Sequence, residues 1–323
     1  SYAMGVDFEY GQDFTVKNCN INNTRRYGIS FVGVLGGEIV DNKVSWTWDD
    51  DNIQAVYGCQ RINILRNQCN GTLGDNVGAS NIEADSAGGY LTIADNFCWN
   101  ARSFGITIHN THSINDYMRS ITISRNTISR TGKGGISVQG VLSGYFPDNI
   151  DVSGNNINNT GSIITTSAGI LLERASNNKV QNNFINSTNA APCIQVTYGA
   201  NNLITGNMAS FGANGIMMVS TENNTVSNND FYKNSLRGID LEGGCNNNSF
   251  TGNRIMKNPA GASIFIYNST SAANNFNTFQ NNYIQDGSVP LDLRAGNLGN
   301  TFSNNVGLVT ENWVTATNTT STT

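Results

Sequence analysis

The sequence predicts an all-β fold: a single parallel solenoid of about twelve stacked coils carrying an asparagine ladder. Three observations predict it. A short unit (apolar, two variable positions, Asn, one variable position, apolar) recurs along the 323-residue chain every 22 to 30 residues. A second stretch of alternating apolar residues, often opened by Gly, accompanies each copy. The composition is unusual as well: 53 Asn and 34 Gly stand beside only 4 Pro, and charged residues make up 13% where about 25% is ordinary. So few charges, with so many poor helix formers, argue against helices. The 38% apolar content and net charge of −5 argue against disorder.

The first unit reads Ile39-Val-Asp-Asn42-Lys-Val44, and the next two run from Ile64 to Cys69 and from Ile93 to Cys98. Further copies place Asn126, Asn155, Asn183, Asn207, Asn229, Asn253, Asn282 and Asn305, with Asn18 as a looser first member. The second signature is seen in Gly28-Ile-Ser-Phe31, Gly105-Ile-Thr-Ile108, Gly135-Ile-Ser-Val138, Gly169-Ile-Leu-Leu172 and Gly238-Ile-Asp-Leu241. Strands this short cannot bury an apolar face alone, whereas stacked coils pair in parallel at about 4.8 Å and share one core. Asn suits the corner, since it tolerates left-handed backbone and its amide bonds to the coils above and below.

The solenoid is expected over residues 1–309, with a Thr- and Asn-rich tail or linker over 310–323. Val6 and Phe8 already alternate like a strand in mid-stack, so the first coil reads as open, to be covered by a neighbouring domain, a second copy or its own first residues. No run of eighteen apolar residues spans a membrane. A pI near 5.0 with 18 basic residues offers nucleic acid no electrostatic footprint. Cys69 and Cys98 fall in the same slot of adjacent coils, within bridging range at about 5 Å, and the cysteines are read as inward-facing free thiols.

On this repeat the sequence resembles the right-handed parallel β-helix superfamily of pectate lyases, polygalacturonases and NosD-like repeat proteins, over about residues 5 to 309. That resemblance implies a right-handed coil, but the scaffold hosts many chemistries and inert fibres alike. Asp50-Asp51-Asn52-Ile53 looks like the Asp-Asp-Cys-Ile motif of polygalacturonases. Only the two aspartates carry over: Tyr27 stands where that family has an Asp, and Ala79-Ser80-Asn81 where it has Gly-His-Gly.

Aligning the second signature gives two outward positions per coil. One row includes Glu83, Thr107, Ser137, Leu171 and Asp240, and the next Asp85, His109, Gln139 and Glu173. Glu83 and Asp85 are then about 7 Å apart on one face, with His109 about 5 Å above Asp85. Paired carboxylates at such distances perform acid/base chemistry on glycosidic bonds, and a His beside them is poised to shuttle protons. Spacings of 28 to 30 residues in these coils mean longer loops to wall a groove. Glu83, Asp85 and His109 are therefore the expected catalytic group, with Asp50 and Asp51 assisting. Trp48, Tyr27, Gln139, Glu173, Arg174 and Lys133 form the expected substrate-binding set. No cofactor is required. Asp49 and Asp75, at acidic loops, are candidate Ca²⁺ ligands.

The outward row turns apolar at Leu171, Met217, Val219, Phe265 and Tyr267, a surface suited to self-association or a partner. The sequence thus predicts an extracellular or surface protein whose partner is a polysaccharide, a hydrolase ahead of a lyase or epimerase. The alternative is a non-catalytic shaft, surface-layer or adhesive module.

Overall fold

The computed structural model describes residues 3–73, 78–110, 118–140, 146–163, 167–186, 188–259, 261–268, 272–285, 289–294 and 296–307. Among them there is no helix, and all regular structure is strand. Three parallel sheets contain twelve, twelve and eleven strands, and every coil contributes to each sheet in turn, except that the last stops after two. Eleven coils are thus complete. In one coil, for instance, the strands are Ile82–Asp85, Thr92–Ala94 and Phe97–Trp99.

Like residues stack on like because the register advances by one whole coil per strand. In the first sheet Ile53, Ile82, Ile106, Ile136 and Ile170 pair in succession, and all are fully buried. The rings of Phe250, Phe279 and Phe302 stack at 4.6 and 4.8 Å, nearly parallel. Those distances equal the ~4.8 Å strand spacing, so aromatic packing costs the sheet no distortion. Glycine opens many first-sheet strands for want of room. A Cβ on Gly105 would lie 2.3 Å from Ile128 Cγ2, and one on Gly135 2.5 Å from Ile157 Cγ2.

The asparagine ladder runs between the second and third sheets, from Asn42 to Asn305. Each amide donates to the next ladder Oδ1 and to a backbone carbonyl of the preceding coil: Asn183 Nδ2 reaches Asn207 Oδ1 at 2.9 Å and Val152 O at 2.8 Å. Two details differ from the sequence reading. Cys19, not Asn18, occupies the first rung, its N–H donating to Asn42 Oδ1 at 2.9 Å. The left-handed residue is the one before each rung (Asn18, Asp41, Arg66, Asp95, Arg125, Gly154, Asn182). The rung Asn is needed for its amide, and the residue before it takes the strain of the bend.

A second ladder joins the first and second sheets through Asn178, Asn202, Asn224, Asn248, Asn277 and Asn300, with the same bonds. Each member precedes a rung of the first ladder by five residues. All six cysteines are free. Cys69 and Cys98 are register partners, and both are fully buried.

Both outward rows have the register read from the sequence, including Gln54 and Val56 in the coil below Glu83 and Asp85. Much of the first row is nevertheless covered. Ser30, Gln54, Thr107, Ser137, Leu171, Asp240 and Phe265 are buried, and Phe104, Ala168 and Leu171 form a small apolar cluster outside the main core. The apolar stripe is therefore partly closed over: Tyr267 stays exposed, and Met217 and Val219 are half-buried. The proposed tail begins within residues 308–323, outside the described residues.

Candidate functional site

Two neighbouring coils and the turn below them bring the acids together. Glu83 and Asp85 lie on the strand Ile82–Asp85, two residues apart and so on one face. The next strand, Ile106–Asn110, pairs with it so that Asp85 is level with His109 and Glu83 with Thr107. Asp50 and Asp51 end the turn that feeds the strand Ile53–Val56 one coil below. Asp51 is held by the Ser80 N–H, which donates to its Oδ1 at 2.6 Å.

Donor atoms of Asp50, Asp51 and Glu83 all lie within 4.8 Å of one another, as do those of Glu83, Asp85 and His109. Glu83 links the two groups. His109 Nε2 is bonded directly to Glu83 Oε1 and lies 4.0 Å from Asp85 Oδ2. Asp85, which is buried, accepts the Ser86 hydroxyl at 2.9 Å. Asp51 is fully buried, and among the described residues no N–H or O–H donor reaches its Oδ2. Carboxylates this close, with one oxygen lacking a donor, are stable only if a proton lies between them.

The titration of each group follows from this geometry. Burial, then the Glu83 charge, drives the Asp51 carboxyl well above its ordinary value. Burial and the same charge raise Asp50. Burial opposes ionisation of Glu83, but hydrogen bonds from Asp51 and His109, with the imidazolium charge, outweigh it and hold Glu83 below its ordinary value. Burial likewise opposes a charged His109, yet the bond to Glu83 and the charges of Glu83 and Asp85 raise its pKa. The cluster is therefore polarised: a retained proton on the Asp50–Asp51 side, an ionised Glu83 in the middle, an imidazolium at the far side. Its oxygens and imidazole also have the spacing of a divalent-cation site.

Tyr27 is half-buried. It bonds to Asp50, and its ionisation is suppressed by burial and then by the Asp50 charge. The Arg26 guanidinium lies 4.7 Å over its ring. The remaining expected residues are elsewhere. Gln139 and Glu173 continue the His109 row upward and bond to each other at 3.3 Å. Arg174 pairs with Glu173 at 3.1 Å and covers the Tyr198 ring. Lys133 is half-buried in a turn, where burial pushes its amine down. Trp48 is half-exposed beside a cavity. Asp49 pairs with Arg25 at 3.3 Å and is in neither carboxylate group. Asp75 lies outside the described residues.

Sequence reasoning passed over Arg25, Arg26 and Ser80. The signal was present: Arg25 precedes its partner Asp49 by one coil length, 24 residues.

Comparisons place this architecture. The profile of the family described as "Right handed beta helix region" matches residues 4–185 and 143–306. No curated protein matches in sequence. Among solved structures, a mutant of the periplasmic alginate epimerase AlgG is similar with a TM-score of 0.59 and 13% identity, over 90% of this chain and 76% of that one. The Dettilon tailspike protein aligns with a TM-score of 0.56 and 15% identity, over 91% of this chain, which spans 59% of the tailspike. The A-module of the Azotobacter vinelandii mannuronan C-5 epimerase AlgE6 gives 0.51 and 14%, over 96% and 91% of the two chains. At such identities the likeness is one of fold. With a family profile covering nearly all of the described coils, the chain belongs to the right-handed β-helix family.

Proposed function

We propose that the chain is a carbohydrate-active enzyme that hydrolyses glycosidic bonds of a polysaccharide on the outward face of the first sheet. One observation carries the reading: adjacent carboxylates, Asp50 and Glu83, are pushed in opposite directions, one toward its acid and one toward its base. Such divergent pairs mark acid/base assignments. In this reading Asp50 protonates the leaving glycosidic oxygen and is left as a carboxylate, while buried Asp51 keeps its own proton. Glu83 attacks the anomeric carbon, and water then releases the sugar, its proton passing to Asp50. Oxygens within 4.8 Å suit the roughly 5–5.5 Å carboxyl separation of retaining enzymes better than the wider inverting spacing. His109 keeps Glu83 ionised, and Asp85 keeps His109 charged. An extracellular or surface location accompanies this reading.

The test is a panel of neutral and acidic polysaccharides scored separately for new reducing ends and for unsaturated products. Reducing ends that vanish in Glu83→Gln and Asp50→Asn support hydrolysis. Unsaturated products, or inversion of uronate configuration without cleavage, would replace it with a lyase or epimerase. A second reading, a shaft or adhesive module without chemistry, draws on the ladders, which continue through coils far from the cluster. Turnover absent from the whole panel favours it.

A further inference from the structure

Next to the acid cluster, at the corner where the third sheet turns into the first, lies a cavity of about 490 Å³ lined by Ala3, Asn23, Arg25, Trp48 and Asp49. Its volume is within the ~300–1,000 Å³ of small-ligand sites. The backbone builds it in register: Trp48 N–H donates to Thr24 O and Asp49 N–H to Arg25 O, so the two coils present their side chains side by side. The Trp48 indole is 50% exposed, yet its Nε1–H is tied to Asn23 Oδ1 at 3.1 Å. A large apolar ring is thus left toward solvent in a fixed orientation, at the cost of exposure that stability alone would not favour. Arg25 and Asp49 form an ion pair at 3.3 Å with both side chains more than half exposed.

We propose that this cavity is a sugar-binding subsite, taking a neutral pyranose unit whose polymer continues over Asp50 and Glu83. The ring face of Trp48 matches the apolar C–H face of a pyranose. A guanidinium beside a carboxylate offers donors and acceptors together, as vicinal hydroxyls require. Because Asp49 and Arg25 neutralise each other, the pair carries no net positive charge to favour a uronate carboxylate. Trp48 and Asp50 are two residues apart, a span of about 7 Å at most, so one chain can touch both. The inference rests on the hydrolase reading for its direction along the chain, but binding is measured independently of turnover.

The experiment titrates cellohexaose, mannohexaose, xylohexaose and hexagalacturonate into the Glu83→Gln protein, followed by calorimetry and tryptophan fluorescence. At least one neutral hexasaccharide should bind more tightly than hexagalacturonate. Trp48→Ala should weaken that binding about tenfold or more, as truncating an aromatic anchor does, and Trp48→Phe should restore most of it, with all variants melting alike. Affinity indifferent to Trp48→Ala, preference for hexagalacturonate, or no binding across the four sugars overturns the proposal. Trp48-dependent binding without turnover by the native protein would leave the subsite standing and remove the hydrolase. Turnover with a KM unmoved by Trp48→Ala would do the reverse.

Discussion

His109 bonds to Glu83 across the diagonal of two adjacent strands, although its direct register partner is Asp85, 4.0 Å away. The imidazole therefore completes a charge line that starts at buried Asp51, passes through Glu83, and ends against Asp85. Removing the central member should disable the line without unfolding the coil. Glu83→Gln retains the shape and a hydrogen-bonding side chain, and turnover should fall by about 10²-fold or more, as for loss of a positioned acid/base group. The exposed Glu222, far along the stack, supplies the control: Glu222→Gln should be silent in the same assay. Asp240 is unsuited to that role, since it is buried and bonded to Arg237 at 2.5 Å and to Asn214 at 3.0 Å. Equal losses at positions 83 and 222 would mean a general charge effect.

The rate should be bell-shaped in pH. Glu83 must be ionised and is held below 4.5, so the acidic limb lies below that value. Asp50 must carry its proton and is raised above 3.8, so the alkaline limb lies above that value. Asp50→Asn should abolish the alkaline limb in whatever activity remains. A profile that keeps rising toward alkaline pH contradicts the assignment.

Between pH 5 and pH 8 stability should move in one direction. In the unfolded chain Asp51 releases its proton near 3.8 and His109 near 6.5, whereas the folded values of both are higher. Between the unfolded and folded values unfolding releases a proton, so raising pH favours the unfolded chain. His109 contributes fully below 6.5 and loses its contribution as pH rises through its folded value. Asp51 adds its part of the decline from about 3.8 upward. Melting temperature should therefore fall from pH 5 to pH 8, and Asp51→Asn should flatten the slope. A stability curve that rises over that range would refute the retained proton.

The first ladder makes a prediction of its own. Asn183 Oδ1 accepts from both N and Nδ2 of Asn155, each at 2.9 Å, and its own amide reaches Val152 O and Asn207 Oδ1. Asn183→Leu would leave buried donors and a carbonyl without partners, each costing about 1–3 kcal/mol. A loss near the top of that range or beyond, read by denaturant unfolding, is expected. An unchanged transition would mean the rungs do not hold the bend.

This ladder was legible in the sequence because every coil repeats it, and so was the register of the outward rows. The second ladder was equally periodic, five residues upstream of the first, but its members begin only at Asn178 and were hidden among many other Asn. What the sequence left open depends on side-chain direction at turns. Asp49, Asp50 and Asp51 are consecutive, yet Asp49 turns to Arg25 while Asp50 and Asp51 turn to Glu83. No periodicity separates them, because a turn has none. Cover was also invisible. Phe104 packs against Leu171 of the outward row, and a pattern of alternating residues specifies which face a side chain takes but not what lies on top of it.

The cysteines give the final prediction. Cys59, Cys69, Cys98, Cys193 and Cys245 are fully buried, while Cys19 is only partly so. Burial also pushes the Cys193 thiol up to about 12, and burial with the neighbouring Cys98 raises Cys69. The reactive thiolate is therefore withheld at Cys69 and Cys193 on both counts, access and protonation, and at the other core positions by access. A thiol reagent at pH 8 should modify Cys19 promptly in the native protein and the other five only at the rate of unfolding. In denaturant all six should react. A count of four in denaturant would mean that Cys69 and Cys98, register partners across one coil, had been joined in a disulfide, and prior reduction should bring the count back to six. Prompt reaction of several thiols in the native state would instead mean that the coils open far more readily than their continuous ladders allow.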